Sequence, residues 1–99
     1  MNPPSDELAL LARLKEGDPR AYRVLSERHL KPVLNYAYRL LGDSAEAEDV
    51  CQETFLRFWQ SSADWEPRAK IRTWLYRVAH NACVDRLRAR RPHEDQDSP

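Results

Sequence analysis

A chain of 99 residues with 41% hydrophobic content has room for one small domain with a modest core and too little for two. Its 16 basic and 16 acidic residues cancel to a formal net charge of zero, so bulk charge neither requires nor excludes a nucleic-acid partner. No apolar run approaches the roughly 20 residues of a membrane span, and Met1-Asn2-Pro3-Pro4 lacks the charged and apolar regions of a secretory signal. The expectation is a cytoplasmic protein without membrane insertion.

With only 2 glycines and no alternating apolar–polar runs bounded by turn residues, the chain reads as all-α. Ser5 is placed to cap a first helix, with Asp6 and Glu7 in its first turn and Leu8, Leu11 and Ala12 on its apolar face. Gly17 ends it. Asp18 caps a second helix that starts at Pro19, where a missing N–H costs nothing. That helix runs through Tyr22, Leu25, His29, Val33, Tyr36, Ala37 and Leu40 to Gly42, and Pro32 is expected to kink or locally break it.

Asp43 or Ser44 caps a third helix that runs to about Ser62. Residues Ser61 to Arg68 read as a loop, with Pro67 turning Glu66 away from helical backbone. The fourth helix spans roughly Lys70 to Arg91 and Pro92 stops it. Residues 92–99 have nothing to bury and read as a disordered linker. The architecture expected is a compact bundle of four helices.

Charge is unevenly placed along this order. Residues 1–42 hold 7 bases and 5 acids, a net of +2, and residues 43–65 hold one base and 6 acids, a net of −5. Residues 66–91 hold 8 bases and 2 acids, a net of +6, and residues 92–99 hold 3 acids. An acidic third helix followed by a basic fourth implies two partners of opposite character. Cys51 and Cys83 both fall inside helical patterns without a C-x-x-C pair, which fits reduced thiols better than a disulfide framework.

At 100° per residue the third helix places Ala47, Cys51, Thr54, Phe55, Phe58 and Ser62 on a buried side. Asp49, Gln52, Glu53, Leu56 and Gln60 fall on the opposite side. A leucine ringed by Asp, Gln and Glu is how a protein-binding hot spot is built. Single exposed leucines are also common and often carry no function, and pattern alone favours that solvated-face reading.

On the fourth helix Ile71, Leu75, Val78, Ala82 and Ala89 form the expected buried side. Lys70, Thr73, Arg77, Asn81 and Arg88 lie opposite, with Trp74 and His80 at the margins and Arg72, Arg86, Arg90 and Arg91 nearby. This combination supplies cations for phosphates, an amide for a base edge and aromatic rings for stacking. In the preceding loop, Trp65 stands near Arg68 and Lys70. It is suited either to stacking on an unpaired base or to plugging the core, and pattern does not choose between them.

The string Ala47-Glu48-Asp49-Val50-Cys51-Gln52-Glu53-Thr54-Phe55-Leu56-Arg57-Phe58-Trp59 resembles the region 2.2 motif of extracytoplasmic-function (ECF) sigma factors, in the sigma-70 family. Thr73-Trp74-Leu75-Tyr76-Arg77-Val78-Ala79-His80-Asn81, ending in Asp85-Arg86-Leu87-Arg88, resembles their region 2.4. Gly17-Asp18-Pro19-Arg20-Ala21-Tyr22 resembles the turn that opens the family's second helix. The resemblance covers residues 5–91, the whole helical part, and leaves 92–99 as the acidic start of an interdomain linker. Region 4, the family's second DNA-binding domain, is absent, so the chain reads as a fragment.

The resemblance implies a transcription-initiation protein with no catalytic activity, cofactor or metal. It implies that Asp49, Gln52, Glu53 and Leu56 dock on the clamp-helix coiled coil of the RNA polymerase β′ subunit, a role for Leu56 that pattern alone does not favour. It further implies that the loop at about Ser61–Ala69 captures a flipped base of the minus-ten element. The non-template strand would then be held by Trp65, Arg68, Lys70, Arg72, Thr73, Trp74, Arg77, Asn81 and Arg88. Family members are commonly held inactive by an anti-sigma factor, so a helical protein-interaction module is the alternative. Cys51 departs from the family's usual aliphatic residue and suits the buried side as a small apolar group. A metal site built on His80 and Cys83, with His29 joining, offers too few ligands to be persuasive.

Overall fold

The computed structural model describes residues 4–65 and 70–90, and within them the chain is all-α. Helix α1 is Pro4–Lys15, α2 is Pro19–Leu41, α3 is Ser44–Ser61 and α4 is Ile71–Arg90, with a 3-10 turn at Ser62–Asp64. The four-helix reading of the sequence holds. No helix among the described residues is long and apolar enough to cross a membrane.

The turns follow from local chemistry. Gly17, at φ +88°, donates to the Leu14 carbonyl while the Asp18 N–H reaches the Arg13 carbonyl, the paired bonds of a Schellman ending. Asp18 then accepts from the Arg20 N–H at 2.9 Å and from Arg13 Nε at 3.0 Å, so one carboxylate closes α1 and opens α2. Those contacts hold its pKa below the usual value, the Arg20 N–H contributing most. Gly42, at φ +69°, returns its N–H to the Tyr38 carbonyl and ends α2. Asp43 caps α3 through the Glu46 N–H at 3.0 Å.

Of the kink or local break expected at Pro32, the break does not occur: α2 stays helical through it. Losing one N–H there is offset because Ala21, Leu25, His29, Val33, Ala37 and Leu41, each four residues on from the last, all sit inside the bundle. The interior end of this ladder is Leu41, and Leu40 stays 37% exposed. Helix α2 packs against α1, α3 and α4 and is the axis of the fold.

Two other faces are rotated from the sequence reading. In α1 the buried leucines are Leu10, Leu11 and Leu14, while Leu8 is half exposed and Ala12 is exposed. Four closely spaced leucines allow more than one face, and docking on α2 selects one. In α4 the buried ladder is Ile71, Leu75, Ala79 and Cys83, while Val78 and Ala82 are half-buried and Ala89 is exposed. In α3 the expected face is buried throughout, with Val50 added and Ser62 following it in the 3-10 turn.

An aromatic cluster joins these elements. Phe58, fully buried, lies 6.1 Å from the rings of Tyr22 and Trp74 and 5.6 Å from Trp65. Trp65 and Trp74 meet edge to face at 5.3 Å. Edge-to-face pairs add about 0.5–1.5 kcal/mol each beyond burial. Helix α1 is tied down by two polar contacts, Asp6 with Arg28 and Glu7 Oε2 with His29 Nε2 at 3.3 Å.

Candidate protein and nucleic-acid interfaces

On α3 the residues singled out from sequence share one outward face. Asp49 and Gln52 are exposed, Glu53 is partly so, and Leu56 is 54% exposed. Glu53 meets Arg57 one turn on at 3.3 Å. Asp49 and Glu48 have no ion-pair partner among the described residues, so this face keeps its negative charge.

Leu56 does not stand alone. It rims a groove of about 450 Å³ between α2 and α3, lined by Tyr22, Ser26, Leu30, Leu34, Cys51 and Phe55, with Glu48 and Gln52 at its edge. Leu30, 46% exposed, is the apolar counterpart of Leu56 on α2. Sequence reading missed the α2 wall, although its signal is present: Tyr22, Ser26, Leu30 and Leu34 form a four-residue ladder one position on from the core ladder. Tyr22 donates from its hydroxyl to the Phe55 carbonyl at 2.9 Å and pins the two walls together.

Cys51 sits in the groove wall with its thiol pKa pushed up to about 11 by burial. Such a thiol suits packing better than nucleophilic chemistry. His80 is exposed and Cys83 fully buried, so they do not share a face. No cluster of three or more His, Cys, Asp or Glu side chains able to hold a metal occurs among the described residues.

On α4, Arg72, Thr73, Arg77, Asn81 and Arg88 are all exposed, as is Lys70 just ahead of the helix. Thr73, Arg77, Asn81 and Arg88 follow spacings of four, four and seven, which keeps them on one stripe about 22 Å long at 1.5 Å per residue. Ion pairing sets this stripe apart from four other cations, while Lys15, Arg20, Arg23, Lys31, Arg39 and Arg86 are likewise without carboxylate partners among the described residues. Arg13, Arg28, Arg57 and Arg90 each meet a carboxylate, the last on Glu46. Lys70, Arg72, Arg77 and Arg88 meet none among the described residues. A row of unpaired cations with an Asn between them is equipped for a phosphate backbone and a base edge.

The two tryptophans differ from the stripe. Trp74 is half-buried at its margin, and Trp65 is only 5% exposed, packed against Phe58 and Trp74. Of the two roles open to Trp65, its burial favours the core plug over stacking on a base. Its Nε1 has no hydrogen-bond partner among the described residues. Arg68, with residues 66–69, lies outside the described residues, as do Arg91 and the linker expected at 92–99.

The chain as a whole has counterparts among known proteins. The model of the Sigma-70 region 2 family matches residues 25–93. The chain belongs to that family. The ECF RNA polymerase sigma factor SigW of Bacillus subtilis is 34% identical over 82 residues, covering 83% of this chain and 44% of its own length. SigL of Mycobacterium tuberculosis, another ECF RNA polymerase sigma factor, is 44% identical over 70 residues, covering 70% of this chain and 40% of its own. Among solved structures, an engineered region 2 of sigmaE in complex with GTAAAA superposes with a TM-score of 0.76 at 29% identity. That match covers 88% of this chain and 93% of the other. The chain is thus a region 2 domain of the ECF type, and it spans less than half the length of these two curated relatives.

Proposed function

We propose that this region 2 domain takes part in transcription initiation as part of a bacterial sigma factor, joining RNA polymerase to promoter DNA. The α3 face of Asp49, Gln52, Glu53 and Leu56 docks on the clamp-helix coiled coil of the β′ subunit. Leu56 and the groove beside it supply the apolar centre, and the acidic residues supply a charged rim. The α4 stripe holds the non-template strand of the minus-ten element, with Arg77, Arg88, Lys70 and Arg72 on phosphates and Asn81 on a base edge. The segment at about 61–69, which includes the 3-10 turn, receives a flipped base, and backbone contacts offset the few kcal/mol of lost stacking. No step calls on a nucleophile, a cofactor or a metal, so the domain acts without catalysis, in the bacterial cytoplasm.

The observation that carries this reading is the placement of charge: the exposed cations Arg72, Arg77 and Arg88 on α4, with Lys70 just ahead of it, lack carboxylate partners among the described residues, and α3 presents an acidic, leucine-centred face. The complex of the sigmaE region 2 domain with GTAAAA supports it for the fold. A second reading rests on the groove, whose apolar walls also suit an amphipathic helix from an anti-sigma factor; the domain would then serve as an interaction module without reading DNA.

The test is fluorescence-anisotropy binding of the purified chain to single-stranded minus-ten oligonucleotides of varied sequence across a salt series. Sequence-dependent binding with a steep salt slope is expected. Failure to bind at low salt, with the fold intact by circular dichroism, would remove direct DNA reading and leave the interaction-module role.

A further inference from the structure

Tyr36 of α2 and His80 of α4 are 44 residues apart and meet through a hydrogen bond of 2.9 Å between the Tyr36 hydroxyl and His80 Nδ1. The Tyr36 ring is set in turn by an edge-to-face contact with Tyr76 at 5.1 Å. His80 is exposed, and its Nε2 has no partner among the described residues. One turn before it stands Arg77 and immediately after it Asn81, both on the α4 stripe. On α2, Arg39 is exposed three residues beyond Tyr36 and has no ion-pair partner among the described residues.

An imidazole can bind an anion through Nε2 only if Nε2 carries a proton. A hydroxyl at Nδ1 suits that requirement in either charge state of the ring. In the neutral ring it donates to Nδ1 and leaves the proton on Nε2. In the charged ring it accepts from Nδ1–H. Tyr36 is thus placed to keep a donor on the open edge of His80, beside cations that face the same solvent.

We propose that Tyr36 and His80 form a further phosphate-binding element: His80 contacts a phosphodiester through Nε2, and Tyr36 positions it. The nucleic-acid footprint then extends from α4 across the seam to α2, toward Arg39. This rests on the DNA-binding role of α4. The ligand is the sugar–phosphate backbone, so the contribution is independent of base sequence.

The test uses the same chain and single-stranded oligonucleotides, comparing His80→Ala, Tyr36→Phe, His80→Arg and the double change His80→Arg with Tyr36→Phe. His80→Ala and Tyr36→Phe are each expected to weaken binding by about three- to tenfold, the worth of one hydrogen bond, equally for every sequence. His80→Arg carries its own donors, so it is expected to retain affinity, and adding Tyr36→Phe to it should change nothing. Retained affinity in His80→Arg distinguishes positioning from a merely structural bond, since the bond between α2 and α4 that a structural role requires is lost there; weakened binding in His80→Arg would overturn the positioning role. Unchanged affinity in His80→Ala and Tyr36→Phe, with Arg77→Ala weakening the same complexes, would overturn this element and leave the DNA reading standing. If Arg77→Ala also has no effect, or the unaltered chain binds no oligonucleotide, the DNA reading falls and this element with it.

Discussion

The Tyr22 hydroxyl reaches the Phe55 carbonyl across 2.9 Å, bridging 33 residues of sequence and joining α2 to α3 at the wall of the groove. The same ring lies 5.1 Å from Trp59 and 6.1 Å from Phe58, so its position is fixed by packing and the hydrogen bond together. Tyr22→Phe keeps the ring contacts and removes only the bond. A loss of about 0.5–1.5 kcal/mol in urea denaturation is expected, and an unchanged midpoint would show that the bond adds nothing beyond packing.

Leu56 projects from α3 with 54% of its surface open, and it lends the core little. Leu56→Arg is expected to weaken binding to a peptide of the β′ clamp helices by about 30-fold or more, the scale of a hot spot worth 2 kcal/mol. Circular dichroism and melting temperature should stay as they were. Leu30→Asp on the opposite rim should act in the same direction if the groove, and not α3 alone, forms the docking site.

Removing two unpaired cations has a distinct signature. Arg77→Ala combined with Arg88→Ala should lower single-strand affinity and reduce the log–log salt slope by about 1.4, at roughly 0.7 for each phosphate left without its cation. If slope and affinity both survive, the α4 stripe is a solvated surface.

Trp65 separates a core role from a DNA role. Buried and packed against Phe58 and Trp74, it is expected to cost about 3–5 kcal/mol of stability when changed to Ala. A stable Trp65→Ala protein with selectively weakened DNA binding would return the ring to the interface.

His29 gives the fold a pH dependence. Burial lowers its pKa below the ordinary 6.5, against the attraction of Glu7, with Arg72 and Arg28 adding to the lowering. The unfolded chain therefore takes up the proton more readily than the folded one. Stability from this residue is unaffected above about pH 6.5 and falls as the pH drops below it, toward the folded pKa. Denaturation midpoints measured from pH 7.5 to 5 should decline less steeply in His29→Gln than in the unaltered chain. Parallel declines would assign the acid sensitivity elsewhere.

Helix content, the two glycine turns, the Asp18 and Asp43 caps and the opposed charges of α3 and α4 were legible in the sequence. Each depends on residues within a turn or two of one another. The acidic face with Leu56 at its centre was likewise legible, because one helix's geometry fixes which residues share a side. Several features depended on what each helix meets. Docking decided which three of α1's four leucines are buried, moved α4's inner ladder to Ala79 and Cys83, and kept α2 helical through Pro32. Tertiary packing alone placed Leu30 opposite Leu56 and Tyr36 beside His80, and it buried Trp65. Periodicity reports the faces of single helices, whereas a groove, a seam or a buried ring is made between elements whose relative rotation depends on the whole core.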